Sequence, residues 1–151
     1  MDLPTFTLVH VLISVLGILS GLVVAGGLAS GKLLGGWNGY FLATTVLTSV
    51  TGFGFPFVKV GPPHIVGVLS LIVLAVALVA LYGKKLAGGW RTAYVITAVV
   101  ALYLNTFVLV VQLLVKTPPI AKIAPEGSPA FGLTHLVVLG LFGWLGWAAL
   151  R

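Results

Sequence analysis

Long apolar runs, separated by short segments rich in glycine, proline and basic residues, dominate the chain. A helix needs about 20 residues to cross a bilayer core of roughly 30 Å, and five runs are long enough to do so. They are Leu3–Leu28, Gly39–Val58, Pro62–Tyr82, Thr92–Val115 and Gly132–Leu150. The pattern predicts an all-α integral membrane protein, a bundle of about five transmembrane helices (TM1 to TM5) that forms one domain over residues 1–151.

Composition leads to the same protein class. The 151 residues are 60% hydrophobic and only 7% charged, whereas soluble proteins carry roughly 25% charged residues. The net charge of +6 comes from bases that lie at the ends of the apolar runs. We therefore expect the lipid bilayer, and not a nucleic acid, as the partner of the basic side chains. The chain has no cysteine, which excludes disulfides and thiolate metal sites.

The distribution of bases predicts the orientation. Five spans put the termini on opposite sides of the membrane. The C-terminal side has five bases and no acid, namely Lys32, Lys84, Lys85, Arg91 and Arg151. The N-terminal side has Lys59, Lys116 and Lys122, offset by Asp2 and Glu126. Because cytoplasmic loops are enriched in Lys and Arg, we predict a multi-pass protein of the bacterial inner (cytoplasmic) membrane with its N-terminus outside and its C-terminus in the cytoplasm.

Two hairpins have similar sequences. The segment Gly31–Trp37 reads GKLLGGW, and Gly83–Trp90 reads GKKLAGGW. Two pairs of residues share a separation of 54 positions: His10 with His64, and Tyr40 with Tyr94. The start of TM5, HLVVLGLF, resembles HVLISVLG in TM1 and HIVGVLSL in TM3. These similarities predict an internal parallel hairpin repeat, related by an axis along the membrane normal, with TM5 as an extra helix.

Three histidines form the main candidate site. His10, His64 and His135 are the only histidines, and each lies near the start of an odd-numbered span. We expect them at one depth near the outer surface. Ionisable side chains inside membranes are rare and often functional, and neutral imidazole is a common metal ligand. TM4 offers Gln112 at a similar depth and Asn105 on the same helical face, and TM2 carries a stripe of Thr44, Thr48 and Thr51. These groups could bond the ring nitrogens or simply join helices.

The leading hypothesis is a b-type haem with two histidine ligands. The symmetric pair His10 and His64 is expected to bind the iron. His135 is expected to contact a propionate, a quinone or a second site. Small residues would let the helices surround the macrocycle, namely Gly17, Gly21, Gly67, Gly140, Gly143 and Gly146. The protein would then transfer electrons at the periplasmic face, with other membrane redox subunits or quinone as partners and as a possible homo-oligomer.

Two alternatives remain open. Three neutral imidazoles also suit a copper or zinc site. The histidines could instead only bond lipid headgroups or water, in a structural or accessory subunit without a cofactor. Asp2 and Glu126, the only acids, lie outside the spans, which argues against carboxylate proton relays. No Ser/His/Asp triad can form in the bundle, so any chemistry would be redox or metal chemistry.

The stretch LYLNTFVLVVQLLVK (Leu102–Lys116), with WRTAYV before it, resembles a family of small uncharacterised bacterial membrane proteins. This resemblance extends over about TM3 to TM5 and implies no activity. The placement of histidines on a small helical bundle is also similar to that of membrane b-type cytochromes. Those that carry electrons across the membrane place histidine pairs near both faces, whereas here all three lie near one. That difference argues against transfer through two haems.

Overall fold

A computed structural model describes residues 2–55 and 62–150 of the chain, and its regular elements there are helices. Their bounds are Leu3–Ala29 (α1), Gly35–Gly52 (α2), Pro62–Leu78 (α3), Trp90–Lys116 (α4), Pro118–Ile123 (α5) and Pro129–Leu150 (α6). A π-helical turn, Val79–Gly83, continues α3. The short α5 starts at two prolines, which suit the first turn of a helix because no N–H is needed there. The sequence pattern did not predict it.

Four helices are long and apolar enough to cross a membrane. They are Leu3–Ala29, His64–Gly83, Trp90–Lys116 and Pro129–Leu150. Their outward faces carry large apolar side chains, such as Leu133, Leu136 and Trp144, which are 61%, 65% and 63% exposed. Such continuous apolar surface requires an apolar solvent. The chain is therefore a multi-pass helical membrane protein that contacts the lipid bilayer.

The helix α2 differs from the predicted second span. It begins at Gly35, four residues before Gly39, and ends at Gly52; residues 56–58 of that span lie outside the described part of the chain. The last turn is closed by backbone bonds from Phe53 N to Val50 O and from Gly54 N to Thr51 O. Its polar residues lower its hydropathy, which is why it is absent from the four candidate spans of the described residues.

Neighbouring helices run antiparallel. The start of α2 meets the end of α1, where Leu34 packs against Gly27, and the end of α2 meets the start of α1, where His10 lies close to Gly52. Phe53 likewise packs against Gly67 near the start of α3. The helices α1 and α3 therefore begin at one end of the bundle, which we call the histidine end.

The helix α6 packs against α4 in the same antiparallel sense. Val99 lies against Gly146, and the ring of Phe107 lies 5.1 Å from that of His135. Since α4 itself is antiparallel to α1 through the Ser14 and Asn105 pair, α6 also begins at the histidine end. The helices α1, α3 and α6 thus run in one direction, and α2 and α4 run in the other.

The apolar core includes residues of α1, α2, α3, α4 and α6. Its tightest part lies where α1, α2 and α4 meet: Phe41 and Leu102 are each 1% exposed, and both lie against Gly21. Without a side chain at Gly21, the two larger side chains can reach the backbone of α1, and the three helices pack closely. This layer separates the polar side chains near the histidine end from those at the opposite end.

Candidate functional site at the histidine end

All three histidines lie at the histidine end, because the helices that carry them start there. His10 is on α1, His64 on α3 and His135 on α6. Each ring is half-buried and contacts phenylalanine rings. Their neighbours nevertheless differ, and the differences determine what each imidazole can do.

The orientation of His10 is set by Thr51 of α2. His10 Nδ1 lies 2.7 Å from Thr51 Oγ1. The Thr51 hydroxyl donates its own hydrogen to the carbonyl oxygen of Leu47, at 2.7 Å, so it accepts from His10. Nδ1 therefore carries the proton, and Nε2 keeps a lone pair that can bind a ligand. This contact confirms that a threonine of the TM2 stripe satisfies a ring N–H.

The last turn of α2 also meets His64. The ring of Phe53 lies 5.9 Å from that of His64, and the ring of Phe55 lies 5.0 Å from that of His10. Phe6 packs edge-on against Phe55. His10 and His64 thus approach α2 from two neighbouring helices, and phenylalanines at the end of α2 contact both.

His135 faces a different helix. Its Nδ1 donates to the carbonyl oxygen of Phe131 at 2.8 Å, within α6. Its ring packs against Phe107 of α4 and against Phe131, at 5.1 and 4.6 Å. With Nδ1 protonated, Nε2 again keeps its lone pair, and this atom is buried with no hydrogen-bond partner among the residues that the structure describes. His135 therefore lies apart from the Thr51 contact that positions His10.

The polar residues of α4 face α1. Ser14 Oγ donates to Asn105 Oδ1 at 2.8 Å, and Asn105 Nδ2 donates to the Ser14 carbonyl oxygen at 3.3 Å. This pair confirms the expectation that Asn105 joins helices. Gln112 follows Asn105 by seven positions and so lies on the same face of α4, closer to the histidine end. Within the described part of the chain its Oε1 is buried without a hydrogen-bond partner, so this oxygen accepts no bond from a histidine ring.

The glycines expected to let the helices approach closely have different surroundings. Gly17 is contacted by polar side chains of α2 and α4, Gly21 by Phe41 and Leu102, and Gly67 by Phe53. A Cβ atom added at Gly146 would lie 3.5 Å from Val99, whereas one added at Gly140 or Gly143 would meet no described atom within 4 Å. Small residues commonly bring membrane helices together in this way, and Gly17, Gly21 and Gly67 do so here.

The residues described, 2–55 and 62–150, include no group of three or more His, Asp or Glu side chains that could hold a metal ion. His10, His64 and His135 are all within these ranges. The packing therefore gives no support to a copper or zinc site that uses all three imidazoles together.

Sequence reasoning missed a buried pair at the opposite end. The Tyr94 hydroxyl donates to Asn38 Oδ1, and Asn38 Nδ2 donates to the Leu34 carbonyl oxygen at 2.7 Å. Tyr94 and Asn38 are 0% and 1% exposed. The available signal was Asn38 itself, in the segment GGWNGY at the start of an apolar run, because an asparagine is unfavourable in a membrane unless it is hydrogen-bonded.

The histidine end thus has two imidazoles, those of His10 and His135, whose Nδ1 atoms lie within hydrogen-bond distance of protein oxygens. A third imidazole, His64, lies beside the end of α2. Such an arrangement suits ligation of a metal or a haem iron, because the ligating nitrogen is set by the bond that the other nitrogen makes. Comparisons of the chain with protein-family models, with curated proteins and with solved structures found no match.

Proposed function

We propose that the protein binds a b-type haem at the histidine end, with His10 and His64 as axial ligands, and takes part in electron transfer. The observation that carries this proposal is the Nδ1–H bond from His10 to Thr51. A hydrogen bond on Nδ1 fixes the ring and makes Nε2 a better electron donor, as in histidine ligands of metal sites generally.

The location of His64 supports its role as the second ligand. Bis-histidine ligation needs imidazoles from different helices at one depth. His10 on α1 and His64 on α3 begin parallel helices, and both approach the last turn of α2. His135 faces α4 instead, which fits a separate role next to a propionate or a quinone. Gln112, with its unpartnered Oε1, could accept a hydrogen bond from a quinol or a propionic acid.

Basic residues near this end suit the propionates. Lys116 ends α4, and Lys122 lies in α5; both side chains are exposed. A haem iron, when bound, supplies one-electron transfer. The residues of the chain fix the imidazoles, exclude water through Phe6, Phe53 and Phe55, and place positive charge where the carboxylates would emerge.

The first test is the cofactor content of the protein purified in mild detergent after expression with added haem precursor. We expect haem b, extracted and quantified as its pyridine complex, at about one per chain, and no stoichiometric copper or zinc. Colourless protein with stoichiometric copper or zinc would support the three-histidine site instead. Colourless, metal-free, folded protein would leave a structural or accessory subunit.

The proposal includes a topology. In it α2 also crosses the membrane, so the bundle has five spans, and the α1–α2 hairpin is related to the α3–α4 hairpin as a parallel repeat. The antiparallel packing of α2 between α1 and α3 supports this. The N-terminus lies outside the bacterial inner membrane, and the histidine end faces the periplasm, where a redox subunit, quinone or second copy of the chain could bind.

Reporter fusions test this orientation. Bases at the end opposite the histidines, including Lys32, Lys84, Lys85 and Arg91, should keep that end in the cytoplasm. We expect green fluorescent protein fused to Arg151 to fluoresce and alkaline phosphatase at the same position to be inactive. The reverse pattern would place the histidines in the cytoplasmic leaflet, and it would contradict the proposed orientation without affecting the haem proposal.

A further inference from the structure

Three polar side-chain atoms surround Gly17 inside the bundle. A Cβ atom at Gly17 would lie 3.2 Å from Asn105 Nδ2, 3.2 Å from Thr45 Oγ1 and 3.3 Å from Thr44 Oγ1. Asn105 comes from α4 and both threonines come from α2, so three helices meet there. Thr45 is 1% exposed, and Asn105 and Thr44 are each 8% exposed.

The Thr45 hydroxyl behaves differently from most helix threonines of this chain. Seven others donate to the carbonyl oxygen four residues earlier, namely Thr7, Thr44, Thr48, Thr51, Thr97, Thr106 and Thr134. Thr45 makes no such bond, and its buried Oγ1 has no hydrogen-bond partner among residues 2–55 and 62–150. Membrane interiors have no bulk water to satisfy such a group. The hydroxyl therefore needs a partner close to the polar atoms that converge beside Gly17.

The side chains around Gly17 have both unused hydrogen-bond donors and unused acceptors. Thr45 has an unused O–H donor. Asn105 has two N–H donors, of which one is directed at the Ser14 carbonyl oxygen, so a second remains. Thr44 uses its hydrogen on the carbonyl oxygens of Tyr40 and Phe41, which leaves its oxygen lone pairs to accept. Two donors and at least one acceptor thus converge from three side chains.

We infer that a single water molecule is bound between α1, α2 and α4 beside Gly17. Its oxygen accepts hydrogen bonds from Thr45 and Asn105, and it donates to Thr44 Oγ1. Water matches this mixed set, since buried waters usually make about three hydrogen bonds to groups that would otherwise be unsatisfied. A bare ion does not match, because these three side chains are neutral and an uncompensated charge is strongly unfavourable at such a depth. The bound water thereby connects three helices independently of any cofactor.

The inference is tested by the direction in which one isosteric substitution shifts the unfolding midpoint. Thr45→Val removes the hydroxyl while nearly preserving the side-chain shape. If the hydroxyl holds a water, the substitution leaves that water and Asn105 short of a bond, and the unfolding midpoint in detergent should fall by several degrees. If the hydroxyl has no partner, its removal relieves a penalty and the midpoint should rise. A rise or an unchanged midpoint would contradict the bound water.

Thr97→Val is the matched control. The Thr97 hydroxyl bonds only the backbone of its own helix, at Ala93 and Tyr94, so its loss should change the midpoint little. A high-resolution structure of the wild-type protein in lipid nanodiscs provides the direct readout. Ordered density within hydrogen-bond distance of Thr45 Oγ1 and Asn105 Nδ2 would support the inference. A Thr45 hydroxyl turned to its own helix carbonyl, with no density beside Gly17, would overturn it.

Discussion

Replacement of either His10 or His64 by alanine should remove the low-spin haem spectrum. Each proposed ligand supplies one strong-field nitrogen, so its loss leaves five-coordinate, high-spin iron or releases the haem from the bundle. We expect most of the low-spin absorption of the purified protein to disappear in both variants. The measurement is the visible spectrum of oxidised and reduced protein at equal protein concentration.

His135→Ala is the matched control for these two substitutions. It also removes a half-buried imidazole near the start of a helix, but this one faces Phe107 of α4 rather than the end of α2. The low-spin spectrum should persist. Haem that is lost with His135→Ala and retained with His10→Ala would mean that iron is bound by a different pair of histidines.

Gly21→Ala should destabilise the bundle. A Cβ atom at Gly21 would lie 2.6 Å from Leu102 Cδ1 and 2.8 Å from Phe41 Cε1, which is too close for unstrained packing. Both side chains are almost fully buried, so they have little room to turn away and the surrounding packing must shift. Overpacking of this kind costs about 1–3 kcal/mol. We expect the free energy of unfolding in mixed micelles to fall by an amount in that range.

Gly140→Ala provides the comparison. Gly140 is also in a helix, but a Cβ there meets no atom within 4 Å, so the same chemical change should have almost no effect on unfolding. Equal losses at both positions would show that alanine acts through something other than contact with Phe41 and Leu102. Losses at neither position would contradict the close approach of α1 to α2 and α4.

Most helices could be predicted because glycine, proline and basic residues lie between the apolar runs. The predicted span Leu3–Leu28 shares its start with α1 and ends one residue earlier, and Thr92–Val115 differs from α4 by two residues at the start and one at the end. The second span was placed less well. It was predicted to begin at Gly39, yet α2 begins four residues earlier, at Gly35.

The candidate site was predictable where it depends on helix periodicity. The threonine spacing on TM2 and the position of His10 predicted that a TM2 threonine could bond a histidine ring. In the structure, His10 Nδ1 lies within hydrogen-bond distance of Thr51 Oγ1. The predicted repeat was a poorer guide to the exposure and contacts of individual side chains. It paired Tyr40 with Tyr94, but Tyr40 is 44% exposed to the lipid side and Tyr94 is fully buried against Asn38. The two positions that the predicted repeat pairs therefore have different surroundings in the bundle.

The same limit applies to Thr45. In the sequence, Thr45 lies between Thr44 and Val46. This order does not indicate which of the two threonine hydroxyls bonds the backbone of its own helix. The difference emerges only when α1 places Gly17 opposite α2, so that Thr45 can turn inward. Polar contacts between helices depend on rotation and depth, which apolar periodicity determines only coarsely.

The most direct test of the central claim is the near-infrared magnetic circular dichroism of the oxidised wild-type protein. This spectrum contains a charge-transfer band of low-spin ferric haem whose wavelength identifies the two axial ligands. We expect a single low-spin haem with bis-histidine ligation in the wild-type protein, and the same band, weakened or lost, in His10→Ala and His64→Ala. A high-spin haem, a ligand pair other than two histidines, or the absence of haem from folded protein would contradict the proposed ligation by His10 and His64.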